Sequence, residues 1–414
     1  MFFLYVRPQD WVPGIIGLPT ANIVVPVGIV VGLLKMEKNA EPYWFPQAWL
    51  FAIYLSIIFI SSFFAVGYDF AWQQFVLFFK RVTIFLMIIL IVNTEKRIRI
   101  VIIAMLLLSL FLAYQAFLQA HTGYSWGGMT PYPGYAEIRV RWYGDWDGPN
   151  VFALLFVMAF AVVIEFLLGP YSILTRIGAA MGLSVYLLAI YYTNSRGALL
   201  AVATTVAFYI RARFSKKILA VIGVLCILLI VGLAPSEMGR LGQINSSEAS
   251  ASERTWLWEQ GLNMLRAHPL LGVGRGRFAE NVDLRLIAHN NFVQNFAELG
   301  LSGFFCFCSI LWFSFKGSVM VEKCDALQHT RLPSFGRMMS TLLIGYCATT
   351  FFVVMELDLF YFVLGLSGSV YLTALRENKE VKKIYMSNRD VQIILVGMAG
   401  IIFMVWLASV KHIL

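Results

Sequence analysis

AHNNFVQNFAELGLSGFFCFCSILWFSFKG, residues 288–317, decides how the chain is read. From Leu299 to Phe315 it is almost wholly apolar, close to the roughly 20 residues that a helix needs to cross a bilayer. Its first residues are not apolar: His289, Asn290 and Asn291 stand together at the mouth of that run. A membrane span entered through a histidine and two asparagines asks for a reason.

The rest of the chain agrees with the apolar half. Of 414 residues, 59% are hydrophobic and only 13% charged, where a soluble domain carries about 25% charge. Mean hydropathy is +0.75. The apolar runs are continuous rather than alternating, which argues against a transmembrane β-barrel. The expected fold class is therefore an all-α polytopic membrane protein, a single integral membrane domain over residues 1–414. About twelve spans are expected, at 14–35, 47–67, 75–93, 99–119, 150–169, 177–193, 197–213, 216–234, 298–316, 337–355, 358–375 and 391–410. Pro13, Pro19 and Pro26 lie at or within the first, which is expected to be broken or partly re-entrant. The N-terminus lacks the basic start and small-residue cleavage site of a signal peptide. GVGRGRF, 272–278, lacks dinucleotide-binding spacing and reads as a turn. The five cysteines form no CxxC pair and no metal framework.

Orientation follows from lysine and arginine. The short loops at 35–46, 94–99, 170–176, 211–217, 316–337 and 376–390 hold 19 of the 32 basic residues. They fall on one side of a twelve-span chain, expected to be cytoplasmic, which puts both termini outside. The other side holds two long loops, 120–149 and 235–297, and the tight turn 192–197. Those long loops contain eight arginines and no lysine: Arg139, Arg141, Arg240, Arg254, Arg266, Arg275, Arg277 and Arg285. Snorkelling to headgroups accounts for any single one. All eight without a lysine lean toward an anion, which a guanidinium grips bidentately.

Several places on this face are candidates. Ser250 to Glu253 has the capping-box pattern, which would start a helix with Arg254 in its first turn. The helix dipole disfavours a cation there, so a bound anion or a carboxylate partner is expected beside it. Leu257, Gly261, Met264 and Leu265 form its packing stripe. In YTNSRGALLA, 192–201, Asn194 or Ser195 can cap the following helix. Arg196 then sits on the first turn of a ready anion site. If 289–300 is helical, Gly300 lies about 1,100° past His289, close to three full turns, and the two share a face. The loop 120–149 sets seven aromatics (Tyr124, Trp126, Tyr132, Tyr135, Trp142, Tyr143, Trp146) beside Arg139 and Arg141, which suits an interface belt or sugar faces. Lys80 and Arg81 are embedded in an apolar run, which is costly and so marks either function or snorkelling.

These residues resemble the O-antigen ligase and polymerase superfamily of bacterial membrane glycosyltransferases. Arg196 to Leu200 is similar to its R-x3-L pattern, and His289 to Gly300 to its H-x10-G pattern. ERTWLWEQGLNMLRAHPLLGVGRGRF resembles its large-loop stretch, and GDWDGPN its loop before a span. The resemblance, in span number and motif order, runs over nearly the whole chain. It implies a GT-C-like helical membrane fold and an active site facing the periplasm from the inner membrane. The implied reaction is metal-independent and inverting, with no cofactor. It moves a glycan from an undecaprenyl-diphosphate carrier to lipid A–core (a ligase), or to a second lipid-linked glycan (a polymerase). Membrane lipids are implied surroundings, and no nucleic acid is a partner. Arg196, Arg254 and His289 carry over as catalytic residues. Lys80, Arg81, Arg139, Arg141 and Gln294 carry over as diphosphate or glycan contacts, although in an ideal helix Gln294 points about 140° away from His289.

The chemistry fits the residues. A diphosphate leaves readily, so what is needed is positive charge on the leaving oxygen, which Arg196, Arg254 and a helix N-terminus can supply. His289 can accept or relay the acceptor proton, or only orient the acceptor. Asp145 and Asp147 are the only carboxylates placed to suggest Mg²⁺. Two other classes compete: a transporter of small anions or lipid carriers, and a non-catalytic scaffold. A transporter predicts charge at mid-membrane, whereas here it gathers at span ends.

Overall fold

The computed structural model describes residues 1–34, 45–133, 137–211, 247–354 and 356–409. Among them every regular element is helical: α1 (Phe2–Tyr5), α2 (Thr20–Leu34), α3 (Pro46–Ala65), α4 (Tyr68–Ile91), α5 (Glu95–Thr122), α6 (Pro149–Leu168), α7 (Ile173–Thr193), α8 (Arg196–Ile210), α9 (Ser247–Ala267), α10 (Asn291–Glu322), α11 (Leu332–Thr350), α12 (Asp358–Glu377) and α13 (Asn388–Ser409), with short 3-10 turns between them. Each expected span except 216–234 coincides with one of these helices; 216–234 lies outside the described residues. Eight of the described helices are long and apolar enough to cross a membrane. The expected break in the first span is a late start: α2 begins at Thr20 and carries Pro26 inside it.

Local chemistry sets the ends. Pro46 and Pro149 occupy first-turn positions, where a missing N–H costs nothing. Thr94 and Ser172 cap α5 and α7 through their hydroxyls. Gly123 and Asn194 close the same two helices in the left-handed conformation. Asn194 is therefore a C-cap, and Ser195 stands at the start of α8 without a side-chain cap bond.

The centre of the bundle is α6 and α12, buried without interruption from Phe152 to Glu165 and from Leu359 to Tyr371. They pack against α7, α11, α8, α4 and α10. The outer helices show the reverse. α13 exposes Val396, Phe403 and Leu407, and α7 exposes Leu174 and Met181. Helices this apolar and this bare, with all their backbone bonds internal, belong in hydrocarbon. The protein is an all-α polytopic membrane protein.

Its two ends differ. At one, ion pairs cross between helices: Arg337 reaches Glu165 and Glu322, both at 3.3 Å, and Lys316 reaches Asp390 at 2.7 Å. The other end is built from loops. The indoles of Trp142 and Trp146 donate to the carbonyls of Val6 and Tyr5 at 2.8 and 3.1 Å, locking the N-terminal segment onto the loop before α6. Those two rings are fully buried, so they are core for this loop and not a sugar-facing surface. Tyr124, Trp126 and Tyr132 are the exposed ones; Tyr135 lies outside the described residues.

The reading of α9 needs one correction. The helix starts at Ser247, so Ser250 lies within it and Arg254 is in its third turn. Serine, alanine and glutamate all tolerate helix, and the helix runs back through the supposed cap. The dipole argument for an anion at Arg254 therefore lapses.

Candidate active site

The polypeptide at His289 is not helical. His289 has φ 50°, a left-handed conformation that costs a residue with a side chain on the order of 1–3 kcal/mol. It persists because its surroundings hold it on both sides. Trp258 on α9 donates its indole N–H to the carbonyl of Ala288 at 3.0 Å, and Gln294 Oε1 accepts the Ala288 N–H at 3.0 Å. Beyond the turn, Asn290 caps α10, its Oδ1 accepting from Phe292 and Val293 at 2.9 and 3.1 Å. The expectation that His289 and Gly300 share a helical face is thus overturned. α10 begins only at Asn291, and it is interrupted at Gly300, which has φ 63° and ψ −165°. The glycine serves the break.

Arg254 stands one turn before Trp258 on α9, so both reach toward the His289 turn. Burial and then the Arg254 charge push the His289 imidazole down to about 4. It is neutral at pH 7, able to accept a proton or a hydrogen bond.

Arg196 reaches the same neighbourhood through the turn between α11 and α12. Phe351 packs on Trp258, ring centroids 5.4 Å apart. Phe352 lies so close to Gly197 that a Cβ there would meet its own Cβ at 3.0 Å. The exposed Arg196, on the first turn of α8, and the α9–α10 mouth thus share one floor, Phe351–Phe352. Arg139 borders it: its loop is tied to the α7–α8 turn by Val140 N–H on the Tyr192 carbonyl at 3.1 Å, and by Asn194 on Glu137. Arg141 is spent on its own loop, paired with Asp147 at 2.7 Å and stacked on Tyr132. Asp145 pairs with Arg7 at 2.5 Å.

Gln294 lies beneath the turn, its amide taken by Ala288 on one side and Glu298 on the other. Those two bonds brace the turn, and they leave the amide one further N–H and one further lone pair. Glu298 leads to a buried network that the sequence did not reveal. GVGRGRF forms turns, as expected, yet it delivers Arg275 into the interior, 5% exposed. Arg275 pairs with Glu298 at 3.4 Å and with Glu356. Asn295 bonds Tyr54 and Glu356 at 2.7 Å each. Burial opposes the Arg275 charge, but Glu356, Tyr54 and Glu298 outweigh it and raise its pKa further. The signal for this cluster was present in MELDLF, 355–360, two carboxylates in an otherwise apolar run.

The second carboxylate, Asp358, holds Arg81 at 3.7 Å. Arg81 and Arg275 both lie over the ring of Phe78, at 4.9 and 4.6 Å from its centroid. Beside them opens a cleft of about 800 Å³ between α2 and α4, apolar along Val25, Ile29 and Leu77 and rimmed by Arg7, Lys80 and Arg81. The structure thus gathers Arg196, Arg254 and His289 around Phe351–Phe352, and sets Lys80 and Arg81 at a neighbouring cleft joined to them by the Arg275 network.

Residues 179–308 match the profile of the O-antigen ligase family. The match spans about a third of the chain. It runs from α7 past the break in α10 and takes in Arg196, Arg254, His289 and Gln294. Lys80, Arg81, Arg139, Arg141 and Glu356 lie outside it. No curated protein compared with the chain matches it.

Proposed function

We propose that the protein is an O-antigen ligase, moving a glycan from undecaprenyl diphosphate to a hydroxyl of lipid A–core at the periplasmic face of the inner membrane. The observation that carries the reading is the left-handed His289 turn, held by Trp258 and Gln294 one helical turn from Arg254 within the matched stretch. In the reaction, the acceptor oxygen bonds to the anomeric carbon as the bond from that carbon to the diphosphate oxygen breaks. The acceptor proton passes to His289, and the lipid diphosphate departs with the bonding pair. Arg254 and Arg196 stabilise the charge on the leaving oxygen. One displacement inverts the anomeric centre. The cleft of α2 and α4 suits the polyprenyl chain, with its phosphates toward Lys80 and Arg81. The lysine- and arginine-rich short loops at the opposite end support a cytoplasmic side there.

The test is reconstitution with an undecaprenyl-diphosphate oligosaccharide, measuring lipid diphosphate released and glycan product on a gel. Product only when lipid A–core is added supports a ligase. A ladder from the lipid-linked glycan alone makes it a polymerase. No release with any acceptor, while labelled solute crosses the vesicle wall, makes it a transporter. Arg196→Ala and Arg254→Ala are each expected to lower release by about 10²- to 10³-fold, with lysine at either position recovering part. Unchanged release in both would remove the arginines from the mechanism.

A further inference from the structure

A buried arginine with two buried carboxylates is a costly thing to place at the end of a membrane bundle. Desolvating the ions consumes most of what their pairing returns, and apolar side chains of similar volume often do as well. Stability alone is therefore a poor reason for Arg275, Glu298 and Glu356 to be together. What they do hold in place is specific. Glu298 is fixed by Arg275 and by the Phe278 N–H at 3.2 Å. It in turn accepts from the Gln294 amide, which orients the Gln294 carbonyl oxygen onto the Ala288 N–H. Ala288 is the residue before the left-handed His289. A glutamine with its amide NH₂ taken by a carboxylate can present only its oxygen to Ala288, so the carboxylate chooses which way the amide faces.

We propose that Gln294, oriented by Glu298 and Arg275, is a positioning group that sets the His289 turn for glycan transfer. The assignment rests on the reading of His289 as the group that receives the acceptor proton. It gives Gln294 no contact with the donor: the residue is 5% exposed and its amide lies against Ala288 and Glu298 beneath the turn. Loss of the bond lets the turn relax and moves the imidazole ring relative to Arg254 without dismantling the donor cleft, whose walls are on α2 and α4.

The experiment compares wild type, Gln294→Met, Gln294→Glu, the exchanged pair Gln294→Glu with Glu298→Gln, and His289→Ala in the reconstituted assay, with melting measured for each. Gln294→Met keeps the length of the side chain and loses both bonds. Its kcat is expected to fall by about 10- to 100-fold, with donor KM within about two-fold of wild type, and its melting is expected to drop because the buried Ala288 N–H and Glu298 carboxylate each lose a partner. Gln294→Glu sets a second carboxylate against Glu298 and is expected to be at least as poor. The exchanged pair restores one carboxylate, one amide donor and an acceptor for Ala288, and is expected to return to within about five-fold of wild type. If Gln294→Met keeps wild-type kcat, or loses activity through KM, Gln294 does not position the turn. If Gln294→Met melts too early to assay, the exchanged pair decides alone: no recovery over Gln294→Glu in a protein that melts normally overturns the proposal. Full turnover in His289→Ala would instead overturn the reading on which the proposal rests, whatever the Gln294 variants do.

Discussion

His289→Ala is expected to lower lipid diphosphate release by about 10²- to 10⁴-fold, the range for removing a positioned general base, while melting changes little because the side chain is only partly buried. The pH profile of the wild type gives the same group a second signature. Burial and Arg254 hold the imidazole at about 4, so it stays neutral as the medium falls through the usual histidine range. The acid limb of kcat/KM, which reports the free enzyme, is expected near pH 4 and not near 6.5. The limb of kcat reports the enzyme with donor bound. A diphosphate against Arg254 offsets the guanidinium charge and raises the imidazole's pKa, so this limb is expected at higher pH than the first. Linkage gives the matching sign for stability. A histidine whose pKa is lower folded than unfolded contributes fully above about 6.5, and the contribution drains away as the pH falls toward 4. Activity measured from about pH 3.5 to about pH 8 with saturating and limiting donor separates the two limbs. A single limb near 6.5 in both profiles, or an alanine variant as fast as wild type, would take His289 out of the chemistry.

The sequence carried the bundle because a bilayer imposes a local rule. About 20 apolar residues must run together, and that rule can be read one window at a time. It located α3 to α8 and α10 to α13 without knowledge of what each touches. Arg196 and His289 stand out as candidates for the same reason: each sits in a short pattern next to a span end. What the sequence did not show is whatever depends on two distant segments meeting. Arg275 and Glu356 are 81 positions apart, and nothing local in GVGRGRF separates an arginine that enters the interior from one that stays at the surface. Trp142 and Trp146 looked like rings for sugars because their partner, the carbonyls of Tyr5 and Val6, comes from the far N-terminus. The Gly300 error has a different root. Helical arithmetic assumes an unbroken helix, and the break is made by another loop satisfying the backbone groups that the break releases.

That break carries the last large effect. At Gly300 the chain takes φ 63° and ψ −165°, a region open in practice only to glycine. The carbonyls of Ala297 and Glu298, no longer used inside the helix, accept from Val273 and Gly274 at 3.0 Å each, and the Leu301 N–H finds the Pro269 carbonyl at 2.8 Å. The two backbones cross in direct contact. A Cβ on Gly300 would strike the Leu270 carbonyl group, and one on Gly272 would strike that of Glu298. Gly300→Ala therefore meets both a forbidden backbone conformation and a clash with main chain that cannot rotate away. It is expected to cost about 3 kcal/mol or more, read as a large fall in melting temperature and in the yield of dispersed protein. Gly272→Ala should behave alike. Gly397→Ala and Gly400→Ala on α13 meet nothing within 4 Å and are expected to shift melting by no more than about 1 kcal/mol in either direction. The crossing also fixes Glu298, whose side chain orients Gln294 and whose carbonyl is bonded by Gly274. Any Gly300→Ala protein recovered folded should accordingly lose kcat before it loses donor binding. A variant with normal melting and normal kcat would mean that the chain can pass Leu270 as an unbroken helix, and that the ten-residue spacing from His289 to Gly300 has some other cause.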